Sequence, residues 1–341
     1  MNQSIAETGE KSKASVRSVV MMNPKGAGAY AAVVGGVNMD IGGMPFAPLR
    51  GHDSNPGSIR TAVGGVGQNI ARNLALLKVP VHFLTAYGWD ENGSVVERAC
   101  EGAGIDLSSA LRLRDAPTSV YLYVSDEMGE MQVAISDMAI CERITPEYLR
   151  QHEALLNGAG AVVLDANIPA ESVQWLSEHV SAPLFADPVS MAKAEKLRPV
   201  AGQLHTIKPN RLEAELLSGV KIRNESDLAE AANALLSRGL SQVHISLGGR
   251  GVYAADQREQ LRLPIFPVDA RNMTGAGDAY LAGLVYSHLN GYPLRDAARF
   301  ASAAAAVAVQ GEGTVNEAMC PEAVFQGMGG PPGSLCSQSG E

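Results

Sequence analysis

The residues best suited to chemistry are concentrated in Asn272 to Gly291, which reads N-M-T-G-A-G-D-A-Y-L-A-G-L-V-Y-S-H-L-N-G. Gly275, Ala276 and Gly277 lead into a run where Leu281, Leu284, Val285 and Leu289 recur at helical spacing, and Gly291 with Pro293 closes it. Small residues at the head of a helix leave backbone N–H groups uncovered at the positive end of the helix dipole. That is a ready site for a phosphate or a developing oxyanion. Asp278 falls in the first turn beside it. A carboxylate there can accept a proton from a hydroxyl as the hydroxyl attacks a phosphoryl group held by the loop. The plainer alternative is a flexible turn whose Asp278 merely favours the dipole, and this stretch alone does not separate the two.

Other residues offer parts of the same chemistry. Asn38 and Asp40, two apart on extended chain, would face one way and suit a pair of sugar hydroxyls, or form a simple turn. In Gly64-Gly65-Val66-Gly67-Gln68-Asn69 the glycines let backbone approach a ligand closely, and Asn69 offers both a donor and an acceptor. A lone G-G-x-G is a weak signal. Asn210 and Glu213, three apart at a helix start, suit either magnesium held beside a polyphosphate or a capping box. Asp187 is a second candidate outer-shell carboxylate, and Gly248, Gly249 and Gly251 suit a nucleotide passing close over backbone. The histidines are isolated from one another and read as surface or core residues. No G-x-x-x-x-G-K-[ST] stretch is present, which excludes a P-loop.

The elements that must position these residues follow from apolar patterning. Buried strands are expected at Ala31–Val34, Val81–Leu84, Ala161–Leu164, Leu184–Ala186, His205–Ile207 and Val243–Leu247. Their carboxyl ends carry polar residues or glycine, as a doubly wound, mostly parallel sheet with one ligand crevice requires. Helices are expected after Asn69, near Gly93–Gly102, and, rich in alanine, from Arg299 to Gln310. The alternating runs Val120, Leu122, Val124 and Met131, Val133, Ile135 flank Asp126–Glu130 as a β-hairpin that interrupts the βαβ rhythm. With residues 41–60 it would form a small separate sheet, a lid over the crevice, whose apolar strands invite pairing with a second subunit.

Composition bounds the rest. The chain has 341 residues, 46% apolar and 5% aromatic, with a formal charge of −9, which argues against a nucleic-acid binder. Cys100, Cys141, Cys320 and Cys336 are scattered and read as reduced thiols, consistent with a cytoplasmic protein. No apolar run approaches the ~20 residues of a membrane span. Residues 1–30 read as a disordered extension, within which Gly26-Ala27-Gly28-Ala29-Tyr30-Ala31 mimics a dinucleotide fingerprint without a preceding strand. Residues 31–325 read as the folded domain, with lid segments near 41–62 and 115–138, and residues 326–341 as a flexible tail.

Taken together, four motifs in order resemble the ribokinase-like (PfkB) carbohydrate kinases over residues 31–320: Asn38–Asp40, Gly64–Asn69, Asn210–Glu213 and Thr274–Asp278. Longer stretches resemble the branch acting on pseudouridine, among them Asp53-Ser54-Asn55-Pro56-Gly57, Lys208 to Glu215 and Gly129 to Met138. The resemblance implies an α/β fold with a β lid and ATP-dependent phosphorylation of a sugar or nucleoside hydroxyl, with Asp278 as base. It implies Gly275, Ala276 and Gly277 as the anion hole, and Asn38, Asp40, Gly64, Gly65 and Asn69 as the sugar grip. Asn210 with Glu213 and Asp187 would serve magnesium, and Gly248, Gly249, Gly251 and Thr274 the nucleotide. Thr118, Asp137 and Asn167 are candidate partners for a nucleobase. Many members carry Asp where this chain has Asn272, within a monovalent-cation loop, which puts potassium activation in question. Alternatives are a kinase for ribose, another nucleoside or a hexose, a non-catalytic sugar-binding regulator, and a dinucleotide-binding oxidoreductase.

Overall fold

The computed structural model describes residues 30–329. The N-terminal extension with its glycine mimic up to Ala29, and the tail from Gly330, lie outside the described residues. Short apolar runs become strands buried on both faces, as parallel sheets demand. The main sheet has nine strands: β1 (Ala31–Val34), β4 (Val81–Leu84), β6 (Ile105–Asp106), β10 (Ala161–Asp165), β11 (Leu184–Asp187), β12 (Thr206–Ile207), β13 (Gln242–Ser246), β14 (Val252–Asp256) and β15 (Gln260–Leu263). Their order is β15-β14-β13-β12-β11-β10-β1-β4-β6. All neighbours run parallel except the antiparallel hairpin β13-β14-β15, which the apolar pattern did not single out. The order reverses between β10 and β1, so the crevice at a topological switch point opens at their carboxyl ends.

Alternation along β1 sorts the core into two layers. Ala32 and Val34 pack with helices α3 (Pro146–Gln151), α4 (Glu153–Gly158), α5 (Ala170–His179), α7 (Arg211–Ser218) and α8 (Glu225–Leu236). Ala31 and Val33 face the opposite layer of α1 (Val66–Leu76), α2 (Glu91–Gly102), α9 (Ala276–Leu289), α10 (Leu294–Ala308) and α11 (Pro321–Gly327). Short α6 (Met191–Ala194) follows β11. Helix α9 is not the one-faced helix its leucine spacing suggests. Buried residues run almost continuously from Asp278 to Val285, as expected of a helix enclosed on all sides. It achieves this against α10 through small residues, since a Cβ on Gly283 would lie 2.7 Å from Ala301 Cα. Cys100 and Cys141 are free buried thiols, as the reading of reduced cysteines expects of them.

A second sheet stands apart, ordered β3 (Gly57–Gly64), β2 (Asn38–Pro45), β8 (Val120–Ser125), β9 (Met131–Asp137). It springs from the end of β1 and returns into α1, so it overhangs the crevice. A parallel pair of β5 (Ala86–Gly88) and β7 (Leu111–Leu113) lies beside it in the chain. Among the described residues no helix is long and apolar enough to cross a membrane.

The histidines are isolated in sequence but not in space. The rings of His205, at the start of β12, and His288, at the end of α9, lie 4.6 Å apart, both against Phe185. Burial first, then the neighbouring His288, lowers the His205 pKa to about 4, and burial lowers that of His288. The unfolded chain therefore binds more protons below pH ~6.5 than the folded one, and stability falls as pH falls through that range. Buried carboxylates with raised pKa values pull the other way, so the contrast between variants is the useful quantity. His288→Phe keeps a ring in place and should flatten the fall in Tm between pH 7.5 and 5.5. A pH slope equal to that of the wild type in scanning calorimetry would show that His288 contributes no proton linkage to stability.

Candidate active site

Helix α9 opens at Gly275, whose φ of 84° is left-handed and whose Cβ, if present, would lie 1.9 Å from the Thr314 carbonyl oxygen. No residue other than glycine fits there. No side chain caps the helix, so the N–H groups of its first turn remain open. One turn in, buried Asp278 accepts a hydrogen bond from Asn69 Nδ2 at 2.9 Å. The Asn69 oxygen in turn accepts from the Thr314 hydroxyl at 3.2 Å, which fixes the amide with its nitrogen toward the carboxylate. Asn69, expected to grip sugar, is thus also the direct partner of the expected base.

Beneath this helix end lies a residue to which the motif reading gave no role. Lys208 directly follows β12, and its Nζ sits 3.2 Å from Asp187 Oδ2, both side chains nearly inaccessible. A Cβ on Gly277 would lie 3.0 Å from that Nζ, so the ammonium abuts the open helix terminus. Burial works against the Lys208 charge, but the carboxylates of Asp187 and Asp278 outweigh it and hold the pKa above the usual value. Burial first, then the Asp187 charge, pushes the Asp278 pKa up to about 7, with Asn69 and Lys208 pulling the other way. Asp187, expected near a metal, is engaged by Lys208.

A cavity of about 360 Å³ runs from this end across the sheet margin. Gly248, Gly249 and Gly251 line one side, Ile265, Phe266 and Val268 another, and Ala276, Gly277 and Lys208 its polar end. A largely apolar compartment ending in an ammonium and open N–H groups offers an apolar surface at one end and an anion site at the other. Asn210 and Glu213 form the capping box: Asn210 Oδ1 accepts from the Glu213 N–H at 3.0 Å and Glu213 Oε2 from the Asn210 N–H at 2.8 Å. Burial raises the Glu213 pKa, partly offset by that bond. Among the described residues no group of three or more His, Cys, Asp or Glu side chains is placed to hold a metal ion. Thr274 is exposed, and its N–H donates to Asn272 Oδ1 at 2.9 Å. The Asn272 amide also donates to the Glu312 carbonyl at 3.0 Å, tying the two loops beside α9.

On the other side of Asp278, Asn38 donates to Asp40 Oδ1 at 2.6 Å, and Asp40 lies where a Cβ on Gly64 would be, 2.1 Å from Oδ2. Gly65 adjoins the Asn38 side chain and the Gly36 carbonyl. Burial raises the Asp40 pKa against the Asn38 bond. Asn167, just past β10, sits beside Gly36, and its oxygen accepts a short hydrogen bond from Lys193 Nζ, a residue absent from the sequence expectations. Thr118 does not join them. Its hydroxyl donates to Asp90 at 2.7 Å and accepts from the Gly88 N–H at 2.9 Å, which anchors the lid to α2. Asp137 does not join them either. The register pairs Asp40 with Tyr121 and Tyr121 with Ser136, so Asp137, opposite Val120 and Met39, projects from the other face of the lid.

With this geometry in place, the pfkB family carbohydrate kinase model matches residues 29–319. A pseudouridine kinase of Escherichia coli is 40% identical over 290 residues, 84% of this chain and 92% of that one. An uncharacterized sugar kinase of Escherichia coli, YeiI, is 38% identical over 291 residues, 84% of this chain and 80% of that one. Among solved structures, a carbohydrate kinase from Agrobacterium tumefaciens superposes with a TM-score of 0.78 at 30% identity, covering 88% of this chain and 97% of that one. The fold is ribokinase-like, and the chain belongs to the pfkB family of carbohydrate kinases.

Proposed function

We propose that this kinase phosphorylates the 5′-hydroxyl of pseudouridine, with ATP as donor and Asp278 as general base. The observation that carries the chemistry is the buried Asp278 carboxylate, held by Asn69 beside an uncapped helix terminus and Lys208. A carboxylate with a pKa near neutrality is poised to take a hydroxyl proton at physiological pH. Asn38 and Asp40 offer a donor and acceptors to ribosyl hydroxyls. The N–H groups of Ala276 and Gly277 and the Lys208 ammonium stabilise negative charge on the far side. ATP supplies the phosphoryl group when bound, its purine against Gly248, Gly249, Gly251 and Phe266. Carboxylates at the polar end outnumber Lys208, since Asp187, Glu213 and Asp278 converge on it electrostatically. A polyphosphate placed there calls for a divalent cation, and Glu213, one oxygen outside the capping box, is the side chain available to hold magnesium through water. The Asn272 amide already bridges to Glu312, so we assign no monovalent cation to that loop.

The 40% identical Escherichia coli pseudouridine kinase supports the choice of acceptor. For the base, the lid residues Tyr121 and Ser136, which share the face of Asp40, and Asn167 with Lys193, beside Gly36, replace Thr118 and Asp137. A dry site that pairs the extra N1–H of pseudouridine discriminates against uridine, which lacks that donor. The outer lid face carries Ile59, Leu122, Val133 and Ile135, exposed by 75%, 40%, 56% and 65%. In register they form one apolar surface on the face away from Asp40. We assign its cover to the lid of a second copy, giving a homodimer.

A coupled assay should give pseudouridine a kcat/KM at least about tenfold above uridine and ribose. A preference for ribose or a purine nucleoside would exclude the proposed acceptor while leaving the kinase chemistry intact. Leu122→Glu with Ile135→Glu should yield monomers by light scattering where the wild type is dimeric. A monomeric wild type at all working concentrations would remove the lid dimer.

A further inference from the structure

Asp165, at the carboxyl end of β10, is fully buried, and its one link to the chemistry above is as a like charge that adds a little to the rise of the Asp278 pKa. Its Oδ2 accepts from the Gly36 N–H at 2.9 Å and the Gly67 N–H at 2.8 Å, and its Oδ1 from the Asn167 N–H at 2.9 Å. No ion pair to it is present among the described residues. A carboxylate out of water without a cation persists only when its oxygens are saturated by donors, and charge-assisted N–H bonds are the strong kind. Burial raises its pKa and the bonds from Gly36 and Asn167 offset part of that. The three donors come from three separate segments. Gly36 leads into Asn38 and Asp40, Gly67 lies in the first turn of α1 with Asn69, and Asn167 stands beside Gly36. The spacing is tight: a Cβ on Gly35 would lie 2.5 Å from Asp165 Oδ2, and one on Gly67 3.0 Å from the same oxygen. The glycines of both segments therefore make room for this carboxylate.

We propose that Asp165 is the positioning residue of the acceptor site, a clamp at the switch point that holds Asn38, Asp40, Asn69 and Asn167 in register without touching substrate. None of its hydrogen-bond partners lines the nucleotide cavity, which is built from Lys208, the ends of β13 and β14 with the turn between them, residues 265–273, α9 and α10. The clamp should therefore act on one substrate only. This rests on the acceptor side assigned under the proposed function.

Asp165→Asn is nearly isosteric and tests the clamp in a folded protein. Its one remaining acceptor oxygen serves Gly36 and Gly67, and its amide then confronts the Asn167 N–H donor to donor. The KM for whichever acceptor the wild type prefers should rise about 10- to 100-fold, while the KM for ATP stays within about twofold. Asp165→Ala should raise the acceptor KM further. Amide hydrogen exchange reads the clamp independently of turnover, so it survives or fails apart from the substrate assignment. Faster exchange in segments 35–40, 65–70 and 166–169, with no change in 246–251, is expected for Asp165→Asn. An unchanged acceptor KM, equal rises in both KM values, or unchanged exchange at those segments would each overturn the proposal.

Discussion

The hydrogen bond from Asn69 to Asp278 joins two helices that are remote in sequence, and the arrangement of the site depends on it. Burying a carboxylate costs several kcal/mol unless donors replace water. Here an amide pinned by Thr314 supplies one donor, and Lys208 supplies a nearby opposite charge. The same Thr314 backbone leaves space only for glycine at position 275, so the turn that opens α9 and the residue that orients Asn69 come from one loop. Small residues between α9 and α10 then let the helix be enclosed on all sides. Its first turn is held rigidly while its N–H groups stay unspent. That combination of a fixed helix and an open terminus is what electrostatic preorganisation requires.

The carboxyl ends of three adjacent strands divide the labour. Asp165 on β10, Asp187 on β11 and Lys208 just past β12 stand side by side, and each is buried. Asp165 faces the lid-side segments through backbone N–H groups, and Lys208 faces the helix terminus through Gly277. Burial disfavours the Lys208 charge, and the Asp187 carboxylate is the largest influence favouring it. In the proposed function these place the acceptor on the lid side of Asp278 and the nucleotide on the other.

Much of this was legible in the sequence because it is local. Apolar runs marked the strands of the parallel sheet, and alternation marked the hairpin of the lid. The motif at Asn210–Glu213 was open between magnesium and a capping box, and the structure contains the box. What escaped depends on contacts across the chain. Lys208 belongs to one of the stretches that carry the family resemblance, but its role follows only from Gly277 and Asp187 folding onto it. Asn69 carried no sign of Asp278. Asp137 was one residue out of step: side chains of a strand alternate, so only the pairing of β8 with β9 shows that Ser136, not Asp137, shares the face of Asp40. Thr118 stood as a candidate nucleobase partner, but its hydroxyl is bound to Asp90, which caps α2.

The most direct test of the central claim is the pH dependence of kcat/KM in the wild type and in Asn69→Ala. Activity falls as a general base is protonated, so the acid limb reports the pKa of Asp278 in the free enzyme. Its midpoint should stand near 7 in the wild type. It should move to higher pH in the variant, because the lost amide bond is one that favours the charged form. An acid limb in the ordinary carboxylate range, or one that Asn69→Ala leaves in place, would contradict the assignment of Asp278 as a base tuned by burial and held by Asn69.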